Sequence, residues 1–232
     1  LVQSLYRSNG VTPKLAQTLR DAHIYLFAKK DPLVEHNCYQ AGAAYVHWLT
    51  PKPQHPPHIA RRFFREANEP SPSQGQLHLP ARVKPYEGKH LWLHPGSGST
   101  TKNVRLSTFV QFARGWHQRY GREVWLSFGP ADTHLAAPLM DALNEYNIPF
   151  HSLESPPFST LIHHMHTNIQ LFIGNDSGIT HLAAYLGKPT IALFTTTDPR
   201  IWRPLGNCLV LPDDGAPVPS NPSVYNDPSP SC

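Results

Sequence analysis

Charge is scarce in this 232-residue chain: Asp, Glu, Lys and Arg together make up 16% of it. The basic excess is small, +4 with a pI near 9.0, and no long Lys/Arg run concentrates it. That disfavours nucleic acid as a partner and suits a small anionic ligand. Cysteine is scarcer still. Cys38, Cys208 and Cys232 are isolated and odd in number, which excludes a disulfide framework or a metal-ligand spacing and fits reduced thiols in the cytosol. No apolar run approaches the length of a membrane span, and no internal repeat is found. The chain opens on Leu1-Val2-Gln3, without an initiating methionine.

Proline, by contrast, is abundant. Its 25 residues concentrate between Pro51 and Pro85 and again after Pro212, so loops or linkers are expected there. From Lys89 onward strand-like and helix-like patterns alternate. Strands are expected at His90–His94, Glu123–Phe128, Pro149–Leu153, Gln170–Gly174, Thr190–Phe194 and Cys208–Leu211. Between them, apolar residues recur at helical spacing: Leu106, Phe109, Val110 and Ala113; Leu139, Ala142, Leu143 and Tyr146; Phe158, Leu161, Ile162 and Met165. Ser155 and the two prolines after it are expected to open the third of these helices, and Gly187 to close a fourth over Thr180–Leu186. The alternation predicts an α/β fold, a parallel sheet covered by helices on both faces. Residues 1–88 show less: two strands, Ala22–Phe27 and Ala44–Trp48, and a helix over His58–Ala67.

In doubly wound sheets ligands bind beyond the carboxyl ends of the strands. Two loops at such ends are unusually polar. The first is HPGSGSTTKN, His94 to Asn103, in which Gly96, Ser97, Gly98, Ser99 and Thr100 precede Lys102. Glycine admits a ligand close to the backbone, hydroxyls and N–H groups donate, and a lysine beside a helix start attracts phosphate. The spacing is not that of a Walker A loop. The same residues would also make an ordinary surface turn. The second is Asn-Asp-Ser-Gly, Asn175 to Gly178, after an apolar strand. Asp176 would accept hydrogen bonds from sugar hydroxyls or backbone N–H groups, Ser177 and Gly178 would face an anion, and His181 would donate to a phosphate or hold the loop. The alternatives are helix capping for Asp176 and Ser177 and a core histidine for His181.

Taken together, HPGSGSTTKN, SFGPAD and FIGNDSGITHLAAYLGKPTIALFTTTDPRIWRPLG resemble the C-terminal domain of glycosyltransferase family 9, the ADP-heptose:lipopolysaccharide heptosyltransferases and their relatives. The likeness is strongest from Leu171 to Gly206 and extends over about Lys89 to Leu211. It implies the type B glycosyltransferase fold: two Rossmann-like, doubly wound domains, the C-terminal one holding a nucleotide-sugar donor and the N-terminal one the acceptor and the catalytic base. The expected organisation is 1–88, an incomplete N-terminal domain with a proline-rich linker; 89–211, the donor domain; and 212–232, a proline-rich tail. By resemblance Lys102 is the phosphate-binding lysine, Asp176, Ser177 and Gly178 the donor-binding D-[ST]-G, and His181 the histidine that follows. Asp132 stands where the family has an acidic residue near the ribose.

The implied chemistry is transfer of a sugar, heptose by preference, from ADP-heptose to a lipopolysaccharide core (lipid A core) acceptor. It needs no metal and no cofactor beyond the donor, and takes place in the cytoplasm at the inner face of the inner membrane. Val104 and Arg105 replace the family's usual Trp-Pro pair. Nothing before Gly10 matches the family's N-terminal strand and glycine-containing loop, so the catalytic base is unassigned and this chain is expected to bind donor but turn over poorly. Two other functions fit parts of the pattern: a noncatalytic nucleotide-sugar-binding remnant and a sugar-nucleotide epimerase. The second would need acidic residues where Ile179 and Thr180 stand. His163, His164 and His166 suggest zinc only if a further ligand joins them. Trp202 would pack in the core or on a sugar, and the Ala60–Ala67 segment would present a basic face to solvent or to an anionic surface.

Overall fold

A computed structural model describes residues 2–8, 10–49, 51–68 and 88–212. The proline-rich stretch over 69–87 and the tail over 213–232 lie outside the described residues. The chain divides into two compact units, Leu1–Pro72 and Ser73–Cys232.

The first unit holds two parallel strands, β1 (His23–Leu26) and β2 (Tyr45–Trp48), and three helices, α1 (Pro13–Leu19), α2 (Pro32–Gln40) and α3 (Ile59–Glu66). Alternation along the strands gives two faces. Ile24, Leu26, Val46 and Trp48 pack on a core of Leu5, Leu15, Val34, Cys38 and Ala43. The other face carries rings in contact, His23 on Tyr45 and Tyr25 on His47, with centroids 4.7 Å apart in each pair. Helix α2 starts where Pro32 fixes the backbone and the Asp31 carboxylate accepts from the Leu33 and Val34 N–H groups.

The second unit is a six-stranded, all-parallel sheet of β3 (His90–His94), β4 (Val124–Phe128), β5 (Phe150–Glu154), β6 (Ile169–Asn175), β7 (Thr190–Phe194) and β8 (Cys208–Pro212). The strand order is β5-β4-β3-β6-β7-β8. The chain therefore winds outward from β3 to β5, returns, and winds the other way from β6 to β8. That is the doubly wound pattern, with its reversal between β3 and β6. Expected and observed strands agree to within one or two residues.

Helices cover both faces. Helices α4 (Leu106–Tyr120) and α5 (Ala136–Glu145) pack on the face that bears Leu91, Leu93, Val124, Leu126 and Phe128. Helices α6 (Phe158–Asn168) and α7 (Gly178–Tyr185) pack on the opposite face, over Trp92 and Phe172. The stripe that buries α4 is Phe109, Val110, Ala113 and Trp116, and Gly121 stops the helix in left-handed backbone at φ 63°. Leu93, wholly buried at the centre of the sheet, is the kind of residue whose truncation to alanine costs about 2–5 kcal/mol. A short helix, α8 (Pro199–Trp202), joins β7 to β8.

One boundary differs from expectation. Helix α6 begins at Phe158, after both prolines, and Ser155 does not cap it. Ser155 sits in left-handed backbone at φ 47° and donates its N–H to the Phe128 carbonyl, ending β5 rather than opening the helix.

Candidate functional site

The strand reversal puts the loops after β3 and β6 side by side at the carboxyl edge of the sheet. Asn175, the last residue of β6 and fully buried, joins them. Its amide donates to the Pro95 carbonyl at 2.6 Å and lies 3.4 Å from Asn103 Oδ1, while its carbonyl oxygen accepts from the Val104 N–H at 3.2 Å. The Thr180 hydroxyl closes the turn beneath by donating to the Asn175 main-chain carbonyl at 2.6 Å.

Within the first loop, Ser97 is buried, and its hydroxyl lies 2.7 Å from the Ser99 carbonyl and 2.6 Å from Asn103 Oδ1, with one hydrogen to give to either. It shapes the loop from inside. The Ser99 hydroxyl pairs with that of Thr101 at 2.9 Å, and Thr100 opens the single 3-10 turn that ends in Lys102. Gly96 leaves room for Asp132: a Cβ there would run into the Asp132 carboxyl group, which would have to shift. Gly98 is exposed and has open space where a Cβ would project.

Asp132 is thus a buried carboxylate laid against the backbone of the glycine loop, on the β4 side of the site. Beside it, His94 is buried, its Nδ1 2.9 Å from the Ser127 carbonyl oxygen. Burial pushes its imidazole below the ordinary range, against the opposing pull of Asp132 and Ser127.

The charged centre lies between the two loops. Lys102 Nζ donates to Asp176 Oδ2 at 2.8 Å. The Thr197 hydroxyl, from the loop after β7, donates to the same oxygen at 2.8 Å. His181 Nε2 stands 3.9 Å from Oδ1. Burial alone would raise the Asp176 pKa, but donors and the lysine charge hold it at about 2 against an ordinary 3.8. The His181 imidazole beside Oδ1, the Lys102 ammonium and the Thr197 hydroxyl all lower it. The pair is asymmetric: the Asp176 side chain is 7% exposed and that of Lys102 is 31% exposed. An anion arriving from solvent meets the ammonium, not the carboxylate.

Ser177 caps α7 by accepting from the Thr180 N–H at 3.3 Å, so its hydroxyl is engaged in the turn, and Gly178 is the exposed first residue of that helix. The polarity of a helix start favours negative charge there. Lys102, Asp176 and His181 are brought together; Gly96 and Asp132 form a second contact in the same loop system. Of the two kinds of donor expected for Asp176, sugar hydroxyls or backbone N–H groups, the second is not found among the described residues; its partners within the chain are the side chains of Lys102 and Thr197. Asn175, Thr195 and Thr197 were not among the expected site residues. The signals for them were a polar residue ending an apolar strand and the Thr195–Thr197 run at the end of the next one.

Other features fall outside the site. His164 packs on Trp125, ring centroids 5.0 Å apart, and the His166 carbonyl accepts from Lys188 Nζ at 2.7 Å. Among the described residues no group of three or more His, Cys, Asp or Glu is arranged to hold a metal ion, and no helix is long and apolar enough to cross a membrane. Trp202 is half-buried in α8.

Comparison with known proteins agrees with this architecture. A putative glycosyltransferase of Haemophilus influenzae is 24% identical over 124 residues, 51% of this chain and 35% of that protein. Lipopolysaccharide heptosyltransferase 3 of Escherichia coli is 37% identical over 112 residues, 47% of this chain and 31% of that protein. The chain thus spans about a third of the length of these curated relatives. The solved structure of E. coli ADP-heptose lps heptosyltransferase II matches with a TM-score of 0.64 at 20% identity, over 85% of this chain and 71% of that one. At that identity the likeness is one of fold, the type B glycosyltransferase fold. The family model for glycosyltransferase family 9 (heptosyltransferase) matches residues 10–211, and the chain belongs to that family.

Proposed function

We propose that the second unit is the donor site of a heptosyltransferase. It binds a nucleoside diphosphate sugar, ADP-heptose, whose sugar goes to a lipopolysaccharide core acceptor. The observation that carries the reading is the Lys102–Asp176 pair at the strand reversal: an ammonium with an open side, held by a buried carboxylate, next to the start of α7. In this reading Lys102, the Ser97–Thr100 loop and the first turn of α7 around Ser177 and Gly178 receive the diphosphate. His181 stands over the same group, and Asp132 faces the ribose. Positive charge fixed beside the leaving diphosphate stabilises the charge that develops as the glycosidic bond breaks. No metal and no cofactor beyond the donor enter this chemistry. The relative named for lipopolysaccharide supports the acceptor, and in this reading the reaction takes place in the cytoplasm, with the enzyme peripheral to the inner membrane.

Calorimetric titration with ADP, UDP and GDP, for the natural chain and for Lys102→Ala, tests this. Selective binding of ADP, lost in the variant, is expected. A preference for UDP or GDP would refute the adenine assignment. Binding that survives Lys102→Ala would refute the role of the lysine.

A further inference from the structure

Thr197 lies in the loop after β7, outside the two loops from which the donor site is built. Yet its hydroxyl reaches Asp176, 21 residues away, at 2.8 Å. An ionised carboxylate only accepts and an ammonium only donates. The Thr197 hydroxyl hydrogen is therefore committed to Asp176. Oδ2 then receives two donors, Thr197 Oγ1 and Lys102 Nζ, both at 2.8 Å. The same loop also meets the backbone just before the lysine: the Thr195 hydroxyl donates to the carbonyl of Thr101, the residue before Lys102, at 3.0 Å.

The loop is itself anchored. The Asp176 N–H donates to the Leu193 carbonyl at the end of β7, at 3.1 Å. Asp198 caps α8 by accepting from the Arg200 N–H at 2.8 Å.

We infer that Thr197 is a positioning residue of the donor site. It fixes the Asp176 carboxylate, which fixes the Lys102 ammonium, so a third loop sets the geometry of the phosphate-binding lysine. The inference rests on the donor-site reading above. Without the hydroxyl, the carboxylate turns about its last bond, and the half-exposed lysine on its flexible stem loses a defined position.

The test compares Thr197→Val, which removes only the hydroxyl, with Thr197→Ser, which keeps it, in the full chain. Two readouts are taken. The first is the carbon-13 titration of the Asp176 carboxyl, which needs no ligand. The midpoint is expected to rise toward 3.8 in Thr197→Val and to stay low in Thr197→Ser. The second is ADP binding by calorimetry, expected to weaken roughly tenfold in the valine variant, as loss of one charge-assisted hydrogen bond implies, and to recover in the serine variant. A circular dichroism melt shows that each variant is folded.

An unchanged Asp176 titration in Thr197→Val overturns the inference. So does equal loss in the serine and valine variants, which marks a packing role. If the natural chain binds no nucleotide, the donor reading falls, and the carboxyl titration alone still decides whether Thr197 holds the Asp176–Lys102 pair.

Discussion

Replacing Asn175 with alanine removes the side chain that joins the two halves of the sheet at the site. The amide is fully buried and serves two main-chain groups that are themselves buried, the Pro95 carbonyl at 2.6 Å and the Val104 N–H at 3.2 Å. Alanine leaves both without a partner, in a place closed to solvent. Each orphaned group costs about 1–3 kcal/mol, so the pair costs about 2–6 kcal/mol. A domain of this kind has about 5–15 kcal/mol to lose. At roughly 2–4 °C for each kcal/mol in a chain of this length, the melting temperature of the second unit falls by roughly 4–24 °C. Differential scanning calorimetry is the suitable assay, because a chain of two units need not melt in one step. A fall below about 2 °C would refute the reasoning, since it would mean the two main-chain groups find other partners at no cost. The same variant is expected to lose ADP binding even at temperatures where it is folded, because the Ser97–Lys102 loop is no longer tied to β6.

Two further expectations come from the same site. The Asp176 pKa is depressed in the folded chain, so the stability it contributes is present above pH 3.8 and is lost as pH falls toward about 2. Urea unfolding at pH 6 and pH 2.5 should show a smaller acid loss in Asp176→Asn than in the natural chain; an equal loss would refute the assignment. Gly96→Ala must push a methyl into the Asp132 carboxyl, whereas Gly98→Ala meets open space. The first should lower stability by about 1–3 kcal/mol and the second leave it within about 0.5 kcal/mol, as read from thermal melts. Similar values for the two would contradict the packing described.

Much of the second unit was legible because its chemistry is written in the order of the residues. Thr190–Phe194 is a short apolar run buried along its whole length, and Leu106, Phe109, Val110 and Ala113 mark a helical face. The first unit was harder for a physical reason. Helix α2 buries Val34, Asn37 and Cys38, and the middle of that stripe is polar. Asn37 is at home in the core only because its amide donates to the Leu5 and Arg7 carbonyls, at 2.9 and 3.0 Å, from a segment thirty residues earlier. A count of apolar residues does not see such a helix. The site divides in the same way. Lys102, Asp176 and His181 could be singled out as types of residue in a pattern, but the partners of Asp176 depend on which strands are neighbours. Thr197 reaches Asp176 because β7 lies beside β6, a pairing that the run of threonines does not by itself reveal.

The position of the Lys102–Asp176 pair within the strand order bears on how the protein breathes. It bridges the loops after the two middle strands, β3 and β6, while β5 and β8 form the rims. Amide protons at the rims are expected to exchange through local fraying, and those between β3 and β6 more slowly, through larger openings. Transient loosening at the β5 rim therefore leaves the lysine clamp assembled, whereas loosening at the β8 rim reaches it through Thr197, in the segment that joins β7 to β8.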